Sequence, residues 1–249
     1  MNLNGKVCLV TGGTRGIGAA GAIALAAAGA DVAIVGRREG EEAKGTKAGV
    51  EKLGRKCLLI RADVGKPSEA TACVERTVSE LGAVDVLVHS AGGPANGGLL
   101  DLTPEAWHAA FDVHVHPVFH LCRAAIPHMR KKKEGVVILV SSTAGIRGIK
   151  TNVAYQTVKG AIPQLTRALA YEFAPDNIRV NCVAPGVVRT AFHATMTEAT
   201  KQFNLENRIP LKREGKPEQV ATVIRELVTN DYITGETVVI DGGLTMRIA

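Results

Sequence analysis

Val7-Cys8-Leu9-Val10 runs directly into Thr11-Gly12-Gly13-Thr14-Arg15-Gly16-Ile17-Gly18, and an Ala-rich stretch follows to Ala28. A short apolar run closed by glycines reads as a buried strand, and the Ala-rich stretch reads as a helix. The glycines between them let the chain turn tightly and bring backbone N–H groups close to a phosphate. The start of the helix adds its dipole to those donors. A glycine triplet alone is weak evidence, but its place between a first strand and a first helix points to a nucleotide. The spacing is TGxxxGxG rather than GxGxxG.

Outward from this turn the pattern alternates. Strand-like runs stand at Val7–Val10, Val32–Val35, Cys57–Ile60, Val84–Val88, Val136–Val140, Ile178–Val183 and Thr237–Ile240. Helix-like stretches fill the gaps at Ile17–Ala28, Glu41–Leu53, Ser68–Leu81, Pro104–Met129, Ala154–Phe173 and Pro217–Val228. Strands alternating with helices predict βαβ units, and runs apolar on both faces predict a sheet covered on both sides. The expected fold class is α/β: a single-domain, Rossmann-like, doubly wound fold over residues 1–249. It has a seven-stranded, mostly parallel sheet with helices on both faces. Thr190–Lys216 reads as a substrate loop with short helices.

Composition narrows the function. The 249 residues are 46% apolar, enough for a sizeable core. Net charge is only +6 and is dispersed apart from Arg130-Lys131-Lys132-Lys133, so a nucleic-acid binder is disfavoured. The five cysteines are an odd number without a CxxC spacing, which predicts reduced, buried thiols. No run of about 18 apolar residues and no signal peptide is visible, so the expected address is the cytoplasm and no membrane is involved.

The second strand selects the nucleotide. NAD sites place a carboxylate about 20 residues after the glycines to meet the ribose hydroxyls. Here that position is Gly36, followed at once by Arg37-Arg38, and Arg15 lies within the glycine turn. Guanidinium groups suit a 2′-phosphate dianion, so NADP(H) is the expected cofactor. The plainer alternative is that Arg37 and Arg38 are solvated surface charges.

Tyr155 and Lys159, four residues apart, share a helical face. Ser141-Ser142 closes the fifth strand, at the sheet edge where such folds bind ligands. With these residues the chain resembles the short-chain dehydrogenase/reductase family over nearly its whole length. Thr11–Gly18 is similar to the family's nucleotide motif, giving Gly12, Thr14, Arg15, Gly16, Ile17 and Gly18 as cofactor contacts beside Arg37 and Arg38. Asp63-Val64 resembles the adenine-contacting pair, and Ser90-Ala91-Gly92 the end of the family's Asn-Asn-Ala-Gly motif. Pro185, Gly186, Val188 and Thr190 resemble the nicotinamide cradle, and Thr234–Gly243 the last strand. The resemblance implies that Ser142 holds the substrate oxygen, Tyr155 exchanges its proton, and Lys159 supports the phenolate and the nicotinamide ribose. It also implies a substrate pocket around Gly93, Ala144–Arg147, Asn152 and His193.

The sequence departs from that pattern in places. His114 stands where the family has an asparagine that holds a relay water, and His89-Ser90 replaces Asn-Asn. A neutral imidazole can hold a water, and His114 is expected to titrate near its ordinary value of about 6.5. Pro117 and Pro163 fall inside predicted helices, each costing about 3 kcal/mol in an ordinary interior. His108, His114, His116 and His120 invite a metal reading, but no carboxylate is placed to complete a set, so no metal is expected. Arg130–Lys133 reads either as cations at a helix C-terminus or as a dock for an acidic partner such as an acyl carrier protein. The apolar positions of the long helix exceed one stripe and predict a homotetramer through it and its successor.

The expected function is NADP(H)-dependent hydride transfer between nicotinamide and a ketone or secondary alcohol, with a 3-oxoacyl thioester as first candidate. Sugar, polyol and xenobiotic ketones stay open, as does a non-catalytic NADP-binding regulator. The complete Ser142, Tyr155 and Lys159 set argues against the regulator.

Overall fold

The computed structural model describes residues 1–194 and 196–246, with His193 by its backbone alone. Strands β1 (Val7–Thr11), β2 (Asp31–Gly36), β3 (Cys57–Arg61), β4 (Val86–His89), β5 (Gly135–Val140), β6 (Ile178–Pro185) and β7 (Thr237–Ile240) form one sheet. Their order is β3-β2-β1-β4-β5-β6-β7, and every pairing is parallel rather than most of them. The chain leaves β1 toward β2 and β3, then returns to lay β4 on the other side of β1. The β1–β4 boundary is therefore the switch point where ligands bind.

The helices are α1 (Gly16–Ala27), α2 (Glu41–Glu51), α3 (Pro67–Leu81), α4 (Pro104–His114), α5 (His116–Lys132), α6 (Val153–Phe173), α7 (Glu198–Phe203) and α8 (Pro217–Thr229). Strand periodicity sends alternate residues to opposite layers. Cys8 and Val10 pack with Leu25 of α1 and with Ile224 and Leu227 of α8. Leu9 packs with Val74 of α3, Leu121 of α5 and Ile162 of α6. Each fully buried Leu or Ile contributes roughly 1.5–3 kcal/mol, so the two layers hold the strand ends in place. All five cysteines are free and buried among these groups.

The predicted helix Pro104–Met129 is in fact two. It breaks at Val115, and Pro117 enters the first turn of α5. A first-turn residue has no intrahelical acceptor for its N–H, so the interior penalty does not arise there. Pro163 does lie inside a continuous α6. Of the apolar positions behind the tetramer argument, Val118, Leu121, Cys122 and Ile126 are buried in the core, Val115 is partly buried against it, and Phe119 is exposed, at 58%.

The basic run stands in the last turn of α5, as cations at a helix C-terminus do. Arg130 pairs with Asp176 at 2.6 Å, and Lys132 pairs with buried Asp85 at 2.6 Å. Two of its four cations are thus already engaged within the chain. Thr190–Lys216 holds a 3-10 turn (Ala191–His193), α7 and a π turn (Asn204–Arg208). No helix among the described residues is long and apolar enough to cross a membrane.

Candidate active site

The glycine turn is forced by contact. Gly12 has φ +66°, and a Cβ there would lie 2.7 Å from the Ala91 nitrogen. The ends of β1 and β4 therefore touch at the switch point. Gly16 has φ +57° and faces Thr190, its added Cβ falling 3.3 Å from the Thr190 methyl. The segment after β6 thus reaches back to the turn. Arg15 occupies the N-cap of α1 without capping it, and no acidic residue stands in the first turn. First-turn amides of α1 that the N-cap side chain does not serve fit the diphosphate of a dinucleotide.

The end of β2 shows why an acid is missing. A Cβ at Gly36 would lie 2.5 Å from the Thr14 hydroxyl oxygen and 2.6 Å from its methyl. Arg37 and Arg38 are exposed and have no ion-pair partner among the described residues, while Arg15 lies 3.9 Å from Glu42. Asp63 accepts from the Gly65 amide at 3.1 Å, and the Val64 side chain packs into the core. Pro185 and Val188 are buried, and Gly186 passes so close to β7 that a Cβ would lie 2.7 Å from that of Asp241.

Three consecutive residues at the end of β5 engage the helix α6 pair. The Val140 carbonyl accepts from Lys159 Nζ at 2.8 Å. The Ser141 hydroxyl donates to the Lys159 carbonyl at 2.6 Å. The Ser142 side chain is hydrogen-bonded to Tyr155 and also accepts from the Ala144 amide at 3.1 Å. Lys159 Nζ stands 5.8 Å from the Tyr155 ring centre. Burial pushes Lys159 down to about 8, against the opposing influence of the Cys182 thiol. Burial pushes the Tyr155 phenol above its usual value, opposed by the Ser142 bond, so the phenol is protonated at neutral pH.

His114 ends α4 and sits edge-on to Tyr155, with ring centres 5.6 Å apart. Its Nε2 lies 2.9 Å from the Gly93 carbonyl oxygen and 3.4 Å from the Gly93 amide nitrogen; the shorter contact favours Nε2 as the N–H donor, with Nδ1 a buried acceptor without a partner. Gly92 is glycine because a Cβ there would lie 2.7 Å from the His114 ring. Titration near 6.5 is corrected: burial first, then the Lys159 charge, hold His114 down at about 3. His89, which the sequence reading did not place in the site, behaves alike. Its Nδ1 is 2.9 Å from the Thr11 hydroxyl, its Nε2 is unpartnered, and burial holds it at about 3.

A family model described as enoyl-(acyl carrier protein) reductase matches residues 12–245. The chain is 40% identical to General stress protein 39 of Bacillus subtilis, over 97% of this chain and 85% of that one. It is 37% identical to a 3-oxoacyl-(acyl-carrier-protein) reductase of Thermotoga maritima, over 99% and 100%. A short-chain type dehydrogenase/reductase from Mycobacterium marinum superposes with TM-score 0.92 at 34% identity, over 99% and 98%. The chain belongs to the short-chain dehydrogenase/reductase family.

Within this short-chain dehydrogenase/reductase, an NAD(P)H-dependent oxidoreductase, the structure gathers most of the expected residues along one sheet edge. Gly12, Gly16, Ser90, Ala91, Gly92, Ser142, Tyr155, Lys159, Thr190 and His114 all stand there. Asn152 opens α6, and its Oδ1 is buried without a partner. The His193 side chain lies outside the described residues. The sequence reading missed Ser141, whose neighbour Ser142 drew attention, and Phe192, whose ring centre is 5.8 Å from that of Tyr155. The histidine cluster is altered too: Asp112 pairs with His116 at 2.8 Å, a carboxylate the spacing argument did not supply. Among the described residues no group of three His, Cys, Asp or Glu is placed to hold a metal ion.

Proposed function

We propose that the chain reduces a ketone to a secondary alcohol with NADPH. The observation that carries this reading is the grip of Val140, Ser141 and Ser142 on Lys159 and Tyr155. Ser142 orients the carbonyl oxygen of the substrate. Tyr155, protonated at neutral pH, gives its proton to that oxygen. The Lys159 ammonium stabilises the phenolate that remains and holds the nicotinamide ribose. Bound NADPH supplies the hydride. Gly12, Thr14, Arg15, Gly16, Ile17 and Gly18 hold the diphosphate, and Pro185, Gly186, Val188 and Thr190 flank the nicotinamide. Ser90, Ala91 and Gly92 stand between them, with the Asp63 loop toward the adenine. Arg37 and Arg38, exposed and unpaired, favour the 2′-phosphate. His114 offers its bare Nδ1 to a relay water as a neutral acceptor.

Apolar groups at the mouth support a ketone with apolar substituents over a polyol. Ile146, Phe192, Leu211 and Met246 are all exposed. They lie on segments that join around the site. Phe192 meets Tyr155, Arg147 donates to the Thr245 carbonyl at 3.2 Å, and Met246 and Pro210 crowd Gly243. A 3-oxoacyl thioester fits such a mouth and remains the first candidate, in keeping with the name of the Thermotoga relative. Assembly as a homotetramer is supported by exposed Phe119. It lines a concavity of about 680 Å³ with Pro67, Thr71, His120 and Arg123, on the α3–α5 face away from the catalytic residues. Docking of an acyl carrier protein on the basic run retains Lys131 and Lys133 as cations without an ion-pair partner among the described residues. A soluble, cytoplasmic enzyme is the corresponding setting.

The test is NADPH oxidation over a panel of 3-oxoacyl thioesters, aliphatic and aromatic ketones, and ketoses. Turnover of an apolar ketone is expected. NADPH binding without turnover of any carbonyl would favour the regulator instead.

A further inference from the structure

Pro163 has no N–H to give the Lys159 carbonyl four residues earlier, and its ring crowds that carbonyl. In a buried helix an unserved carbonyl is costly. Here the Ser141 hydroxyl, itself buried, serves it at 2.6 Å. Gly145 completes the seat: a Cβ there would lie 2.5 Å from both the carbonyl carbon and the oxygen of Lys159. The Lys159 side chain is held at the same place, its Nζ donating to the Val140 carbonyl at 2.8 Å. Backbone and side chain of one residue are therefore fixed by two successive residues, the last of β5 and the one that follows it.

We infer that Ser141 is a positioning residue for Lys159, made necessary by Pro163: the hydroxyl replaces the helical hydrogen bond that the proline removes, and so sets where the ammonium stands. The inference rests on the reading of Tyr155 and Lys159 as the catalytic pair. Its signature is conditional. With alanine at 163 the helix recovers its own donor to the Lys159 carbonyl, and Ser141 becomes dispensable.

The experiment is a double-mutant cycle of Ser141→Ala and Pro163→Ala, with Ser141→Thr as the variant that keeps the hydroxyl. kcat, KM for NADPH and the thermal midpoint are measured for every protein. Ser141→Ala alone should lower kcat about tenfold, since small displacements of a catalytic group are costly. Ser141→Thr and Pro163→Ala should each stay within about threefold of the parent chain. In the Pro163→Ala background, Ser141→Ala should lose no more than about twofold, with its thermal midpoint restored in parallel. If Ser141→Ala does not fold but the double variant folds and turns over, the rescue stands. Equal losses in both backgrounds, no loss in either, or failure of both to fold would overturn the inference. Thermal midpoints read the Ser141–Pro163 coupling independently of catalysis. A coupled cycle with an active Tyr155→Phe enzyme would therefore spare the pairing while removing the catalytic reading.

Discussion

The cofactor preference can be tested from both sides of the Gly36 turn. Replacing Arg37 and Arg38 together with alanine removes two exposed guanidinium groups without touching the glycine cradle. Bonds from these groups to a 2′-phosphate would be charge-assisted but solvent-screened, so the expected loss belongs at the lower end for such contacts. NADPH affinity should fall about 10- to 100-fold while NADH affinity changes less than about twofold. Adding an acid is a separate matter. Gly36→Asp puts a Cβ 2.5 Å from the Thr14 hydroxyl, so that change alone should displace the turn and weaken both cofactors. Thr14→Ala removes the two nearest atoms and leaves only the Thr14 Cβ position, 3.1 Å away, which a small shift relieves. The double variant Thr14→Ala/Gly36→Asp should therefore bind NADH in preference to NADPH. The assay is fluorescence titration of each cofactor at two ionic strengths, since screened contacts weaken with salt. Unchanged NADPH affinity in the double alanine variant would refute the reasoning, whatever the Gly36 variants do.

Other outcomes follow from the same geometry. Tyr155→Phe removes the proposed proton donor and should lower kcat by about 10²–10⁴-fold with NADPH binding retained, as single-turnover and titration measurements would read; an active variant would sink the assignment. His89 and His114, held at about 3, refuse protons that the unfolded chain takes up below about 6.5. Stability should thus fall as pH drops from about 6.5 toward 3, by up to about 1.4 kcal/mol per pH unit for each histidine, and His114→Asn should lessen that slope in urea titrations at pH 7, 5 and 4. The kcat profile of the parent chain should show no ionisation from His114 between pH 5 and 8, so parent and His114→Asn should share the same acid limb. Phe119→Glu should shift a tetramer toward smaller species in light scattering, and an unchanged mass would move the interface off α5.

Much of this was legible in the sequence because it depends on local pattern. The strands kept their order and nearly their bounds, and the glycine turn and the Ser142, Tyr155 and Lys159 set fell on one sheet edge. What the sequence leaves out is partners distant in the chain. Arg130 and Lys132 look like a free basic run until Asp176 and Asp85 are folded against them. His114 looks titratable until burial and the Lys159 charge are known. Gly36 looks like a missing carboxylate, but Thr14, 22 residues earlier by position, leaves a side chain no room there.

The prolines show most clearly why local rules stop short. Pro117, Pro127 and Pro163 each forbid the same hydrogen bond, and one rule assigns each the same penalty. The chain answers each one differently. At Pro117 the helix ends and restarts, so the missing N–H falls in a first turn. Pro127 stays inside α5 on its exposed side, where water can serve the Arg123 carbonyl. Pro163 stays inside α6 near the sheet edge, where no such water is needed because the serine just after β5 supplies the donor. What separates the three is solvent on one side and a neighbouring strand on the other, and neither is written in the residues around the proline. The third answer is also the one that falls on Lys159, so a proline that seemed an oddity of the sequence ends up defining where the ammonium group is held.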